Sequence, residues 1–131
     1  LIDVSDEFED DIPGLVYDIV VDEMKRTVGR VEYRYETGID LLYYGHVGYV
    51  IYLPYRGHGF AQQACQKMAE LLKEKHPDMK SMMITCNPDN IASKKTIENL
   101  GARYIKRVTI QEDHELYEQG DREKEIYEWF I

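Results

Sequence analysis

Hydrophobic positions along this chain recur with two periods, and the switches between them mark its elements. Residues 1–4 read as a short first strand, and residues 5–14 as an acidic loop closing on Pro13-Gly14, a turn signal. Residues 15–21 are rich in Val, Ile and Tyr, the composition of a strand. After a polar turn at 22–26, residues 28–35 alternate Val31, Tyr33 and Tyr35 with Arg30, Glu32 and Arg34, a period of two. This spacing predicts a hairpin between the two strands. Residues 37–44 form a longer connection to which the pattern assigns no role. Residues 47–53 are a nearly continuous apolar run, expected of a central strand covered on both faces, and the run stops at Pro54.

The period then changes to that of a helix. Behind Arg56-Gly57-His58-Gly59, the side chains of Ala61, Ala64, Cys65, Met68, Leu71 and Leu72 fall on one helical face, and Pro77 ends it. Residues 81–86 form another short apolar strand. The order strand, helix, strand predicts a right-handed parallel crossover. Asn87-Pro88-Asp89-Asn90 is a turn whose side chains can cap a helix over 91–100, with Gly101 just past its end. Residues 104–110 read as a strand, 113–120 as a polar loop or short helix, and 125–131 as a last strand with Ile126, Tyr127, Trp129 and Ile131. The sum is a single α/β domain over residues 1–131, with early antiparallel strands, a central crossover and a late hairpin.

Composition narrows the function classes. The chain has 131 residues, 44% hydrophobic and 31% charged, which suits one folded domain and not a disordered chain. No stretch approaches the roughly 20 apolar residues of a membrane span, so no membrane partner is expected. The acidic first residues lack the basic start of a signal peptide. The net charge of −9 argues against a nucleic-acid partner and would steer a cationic acceptor such as an amine. Cys65 and Cys86 form no CxxC pair, which points away from disulfides and zinc and towards a reducing, cytoplasmic compartment. His46, His58, His76 and His114 fall at no metal-ligand spacing, so no metal is expected.

The segment from Val50 to Ala61 carries the most chemistry. A strand ends, glycines follow, and a helix begins. Helix starts expose unpaired N–H groups with partial positive charge, and glycines let backbone wrap an anion. The turn is therefore a candidate pyrophosphate site. The phosphate-loop pattern GxxxxGK followed by Ser or Thr is absent, and so is a GxGxxG in the first strand–helix unit.

Arg56-Gly57-His58-Gly59-Phe60-Ala61 resembles the R/Q-x-x-G-x-G/A signature of the GNAT superfamily of N-acetyltransferases, with Arg56, Gly59 and Ala61 at the signature positions. The segment from Asn87 to Ala102 resembles the second motif of that family. Asn87, Asn90, Ser93 and Gly101 match it, while Ala102 stands where Phe is usual. The resemblance covers roughly residues 28–131. It implies a GNAT-like mixed, mostly antiparallel sheet with a central splayed strand pair, flanked by helices. It further implies acetyl-CoA as cosubstrate and transfer of its acetyl group to a primary amine of a small molecule or peptide. The pantetheine arm would pair with the backbone of Ile51, Tyr52 and Leu53 like an added strand. The pyrophosphate would sit on the turn and helix start, at Arg56, Gly57, His58, Gly59, Phe60 and Ala61. Asn90 would bond the pantetheine, with Ser93 or Lys94 beside it.

The resemblance also exposes departures. Family members often carry a Tyr acid four residues after the position of Ser93, and Ile97 stands there. Tyr117 is a substitute candidate. His46, Tyr49 and Glu32 are the candidates for the base, and Cys86 reads as a buried structural thiol. Residues 5–14 are too short for the usual acceptor-side helices, so these are expected to be reduced. The acceptor pocket is then open, built by residues 37–44 and 113–120, or completed by a second subunit in a homodimer. The alternative function is an acyl-CoA-binding module or sensor with weak catalysis.

Overall fold

Two antiparallel sheets carry the fold. A computed structural model describes residues 1–7 and 14–131. The first sheet has the order β1 (Ile2–Asp3), β2 (Gly14–Val21), β3 (Arg26–Arg34) and β4 (Val47–Ile51). The expected hairpin is β2–β3, and the buried positions Val31 and Tyr33 lie where the alternation puts them. At Gly29 a Cβ would lie 2.1 Å from the carbonyl oxygen of Val50, so the close approach of β3 and β4 requires glycine there. The second sheet has the order β5 (Ser81–Cys86), β7 (Glu123–Phe130), β6 (Arg103–Thr109).

Helices α1 (Gly38–Tyr44), α2 (Phe60–Lys75), α3 (Ile91–Asn99) and α4 (Glu115–Glu118) flank these sheets. The main core joins both sheets to α2 and α3. Val28, Val31, Met68, Leu72, Met82, Ile84 and Ile97 are fully buried in it. A smaller cluster of Tyr43, Ile110 and Leu116 ties α1 to the loop before α4. There the Tyr43 hydroxyl donates to the Thr109 carbonyl at 3.3 Å and accepts the Gln111 N–H at 3.0 Å.

Several expectations need correction. Residues 37–44 are not a plain connection, since most of them form α1. With only seven residues, two turns were too few for a helical period to stand out. The apolar run at 47–53 is not covered on both faces. β4 is the last strand of its sheet, it ends at Ile51, and Val50 is 46% exposed. Leu53 lies in a 3-10 turn and is exposed. Helix α2 does cross from one sheet to the other, yet β4 and β5 form no parallel ladder among the described residues. The loop expected at 5–14 begins as a 3-10 turn at Ser5–Glu7 and gives way to β2 at Gly14; residues 8–13 lie outside the described residues.

Hydrogen bonds tie the two sheets together at the start of β4. The His46 N–H donates to the Met83 carbonyl at 2.8 Å, and the Met83 N–H donates to His46 Nδ1 at 3.0 Å. Beside it, the Thr85 hydroxyl donates to the Tyr43 carbonyl at 2.8 Å. Beyond this root the strands part.

Candidate active site

The parting of β4 and β5 opens a groove of about 810 Å3. Its orientation follows from the ladder on the other side of β4. Arg34 N–H donates to the His46 carbonyl at 2.7 Å, and Tyr52 N–H donates to the Val28 carbonyl at 2.8 Å. These bonds fix the alternation, so the backbone groups of Val47, Tyr49 and Ile51 face away from β3 into the gap. No neighbouring strand takes them among the described residues. An open strand edge therefore forms one wall.

The groove ends at the glycine turn. Gly57 and Gly59 have φ of +88° and +73°, values that side chains with a Cβ seldom adopt. Gly59 is the N-cap of α2, and no side chain caps that helix. The first helical bond runs from Gln63 N–H to the Gly59 carbonyl, which leaves the N–H groups of Phe60, Ala61 and Gln62 without partners inside the helix. Arg56 Nε donates to the Ile51 carbonyl at 2.9 Å and so clamps the turn to the strand. On the facing wall, Asn90 Oδ1 accepts the Ser93 N–H at 3.0 Å and starts α3. The Tyr49 hydroxyl and Ser93 Oγ are 2.6 Å apart and join the two walls.

The electrostatics of the groove oppose those of the chain. The whole chain has net charge −9. Among the described residues, the walls carry Arg34, Arg56, Lys95 and Lys124 and no carboxylate. An uncapped helix start, two glycines at positive φ and the cations Arg56 and Lys95 suit a polyanion with an extended arm. The groove residues thus fit coenzyme A.

The expected site residues divide. Tyr49, Ile51, Arg56, Gly57, Gly59, Phe60, Ala61, Asn90 and Ser93 all line the groove. Tyr52, Leu53 and His58 do not. Tyr52 spends its N–H on β3, so the open backbone edge lies at Val47, Tyr49 and Ile51; of the three expected residues only Ile51 is on it. His46 sits at the root, stacked on Tyr33, with Nδ1 taken by Met83; burial lowers its pKa. Glu32 is held by Arg34 at 2.7 Å behind Gly48. Lys94 pairs with Glu125 at 3.9 Å. Tyr117 lies outside the groove, under the Arg122 guanidinium at 3.7 Å. Cys86 is buried, and burial raises its pKa. Ile97, where the family acid often stands, is fully buried.

Other wall residues escaped the sequence reading. Thr96 and Asn99 share the face of Ser93 at a spacing of three, a signal that was available. Arg34, Thr85 and Lys124 come from three separate elements and had no local signal, whereas Tyr43 and Tyr44 fall in the 37–44 segment expected at the acceptor pocket.

Comparison with known proteins agrees with this geometry. The family model for the acetyltransferase (GNAT) domain matches residues 4–103. The chain belongs to the GNAT acetyltransferase family. The cosubstrate of that family is acetyl-CoA. Among solved structures, the GNAT chain is similar to the ribosomal-protein-S5-alanine acetyltransferase from Vibrio fischeri, at 20% identity and TM-score 0.69, over 89% of this chain and 61% of that one. It is similar to the Salmonella typhimurium acetyl transferase that modifies the N-terminal serine of ribosomal protein L7/L12, at 18% identity and TM-score 0.69, over 90% and 64%. It also resembles the microcin C7 self-immunity acetyltransferase MccE, solved with acetyl-CoA and AMP, at 21% identity and TM-score 0.67, over 90% and 61%. At these identities the likeness is one of fold. The chain spans about six-tenths of these structures' length. No curated protein matches it by sequence.

Proposed function

We propose that this GNAT domain transfers the acetyl group of acetyl-CoA to a primary amine of a small molecule or peptide. The observation that carries the reading is one continuous groove. It joins the open edge of β4 to the uncapped start of α2, and its walls are cationic in an acidic chain. The turn from Arg56 to Ala61 takes the pyrophosphate, and the edge groups of Tyr49 and Ile51 take the pantetheine arm as an added strand would.

In the reaction, the amine nitrogen forms a bond to the thioester carbon and the carbon–sulfur bond breaks. An attacking amine must first lose its proton, because alkyl amines have a pKa near 10. N–H groups on the open edge of β4 stabilise the developing oxyanion. The departing thiolate needs a proton, and Tyr49 is the phenol we assign to supply it. It lines the groove, and burial raises its pKa, so it stays protonated across neutral pH. Its bond to Ser93 holds it between the walls. The replacement of the usual Tyr by buried Ile97 supports a second reading, a domain that binds acyl-CoA without efficient transfer.

The two readings part on turnover. The protein is incubated with acetyl-CoA and a panel of amines and amino-terminal peptides, and free CoA thiol is measured. Release above the hydrolysis background with at least one amine supports transfer. Tight acetyl-CoA binding with no release across the panel sinks transfer and leaves the binding module.

A further inference from the structure

The end of the groove away from the glycine turn differs in chemistry. It is formed by Arg34, Tyr43, Tyr44, Thr85 and Lys124, beside the root where β4 begins. Two of these residues are cations, and they are not equivalent. The Arg34 guanidinium is committed. It donates to Glu32 Oε1 through Nε at 3.0 Å and Nη2 at 2.7 Å, and to the Tyr44 carbonyl through Nη1 at 2.9 Å.

Lys124 is placed differently. It stands near the start of β7, one residue before Glu125, which is the register partner of Cys86. Its side chain is only 12% exposed, yet the carboxylate it faces, Asp121, is 3.8 Å away, beyond hydrogen-bond distance. Asp121 Oδ1 is meanwhile occupied by the Asn87 amide at 3.1 Å. The next carboxylate along the strand, Glu125, is taken by Arg107 at 2.5 Å. Lys124 is therefore largely covered and lines the groove, and among the described residues its ammonium has the ion pair with Asp121 but no hydrogen bond. An ammonium in that state gains from an incoming carboxylate and loses from an incoming cation.

We infer that the acceptor is an amine that also carries a carboxylate, and that Lys124 is the specificity-determining residue that reads it. This rests on the acetyl-transfer reading above and adds the acceptor class. It also reverses the expectation from net charge. The acidic exterior would draw in cations, whereas Lys124 in the groove wall offers a carboxylate a partner; Arg34 is matched by Glu32, and Glu115, Asp40 and Glu36 lie around Tyr44. A free amino acid and a peptide with an acidic side chain near its amino terminus share this chemistry.

The test compares each acid with its uncharged isostere. Acetyl-CoA is first titrated into the protein by calorimetry. Initial rates are then measured for alanine against alaninamide, and for the dipeptide amides of Ala-Asp against Ala-Asn. In parallel, N-acetylalanine and N-acetylalaninamide are titrated into the CoA-loaded protein, a comparison that needs no turnover. The expected result is a preference of at least about tenfold for the acid in one of the two pairs, read in KM or dissociation constant and not in kcat. The pair that shows it tells free amino acids from acidic peptides. Lys124→Gln should bring the ratio to within about twofold, and Lys124→Arg should restore part of it.

Equal response to acid and amide, or no binding of either acetylated product, overturns the inference while leaving acetyl transfer standing. So does a Lys124→Gln variant that keeps the ratio but weakens acetyl-CoA binding, which would move Lys124 to the cofactor. Failure of acetyl-CoA to bind the native protein takes down both readings, and the first titration identifies that case.

Discussion

The two ends of the groove are built from different parts of the chain. The end at Arg56–Ala61 is made of backbone: two glycines at positive φ, an uncapped helix start and an open strand edge. Those features sit within residues 47–62. The end at Arg34, Tyr44, Thr85 and Lys124 is made of side chains from β3, α1, β5 and β7, brought together only by tertiary structure. Backbone cradles hold a constant ligand through groups that every residue has. Side-chain walls can change with the acceptor while the cradle stays. The proposed division of labour, one cosubstrate and one selective site, matches this division in construction.

The largest expected effect lies at the root of the groove, beside its side-chain end. Gly45 has a φ of +69°, and a Cβ there would lie 2.9 Å from the Met83 carbonyl oxygen and 3.2 Å from the Thr85 nitrogen. Both neighbours are backbone and cannot turn aside. Gly45→Val should cost about 3–4 kcal/mol in urea denaturation. Gly57→Ala is the contrast. Its φ is +88° but nothing lies within 4 Å of the added Cβ, so only the backbone strain of about 1 kcal/mol is expected. Equal losses at both would show that the root is not the tight point.

Next in size is Tyr49→Phe, which keeps the ring and removes the hydroxyl that bonds Ser93. Turnover should fall about 100-fold, with the acetyl-CoA dissociation constant changed less than about threefold. A loss confined to acetyl-CoA affinity would make Tyr49 a wall residue and not the proton donor.

A smaller effect concerns pH. Burial lowers the pKa of His46 below its ordinary 6.5. The unfolded chain therefore binds a proton more readily than the native one, and stability rises with pH through this window. The His46 contribution is complete above about pH 6.5 and is lost as pH falls through the lower native pKa. Urea midpoints from pH 5 to 7.5 should rise and then level, and His46→Gln should flatten that part of the curve. An unchanged slope in the variant would assign the pH dependence elsewhere.

The smallest is Asn90→Ala. Removing the cap on the Ser93 N–H should cost about 1 kcal/mol of stability. If Asn90 also bonds the pantetheine, acetyl-CoA affinity falls with it; a stability loss with unchanged affinity leaves Asn90 as a cap alone.

These contrasts explain how much could be read from residues in order. The glycine turn, the Asn90 cap, the α2 face and the β2–β3 hairpin are local, and each was visible as a short pattern. Helix α1 was not, because seven residues beginning at Gly38 offer too little period, and its position is held by long-range bonds from Tyr43. The strand-edge register shifted for a similar reason. Which residues of β4 face the gap depends on pairing with β3, and the Tyr52 N–H, expected on the pantetheine side, donates to the Val28 carbonyl. Lys124 had no local signal at all, since its environment comes from Asp121, Asn87 and the groove wall.

The most direct measurement is acetyl-CoA titration by calorimetry into the native protein and the Gly59→Val variant. Gly59 lies at φ +73° with only the end of the Gln63 side chain, at 3.9 Å, near an added Cβ. A valine there would disturb the turn's conformation while crowding little else. Binding in the micromolar range by the native protein, weakened at least about tenfold in a variant that still folds, is the expected result. Equal binding by both proteins, or no binding up to millimolar cofactor, would contradict a cofactor seated on the turn.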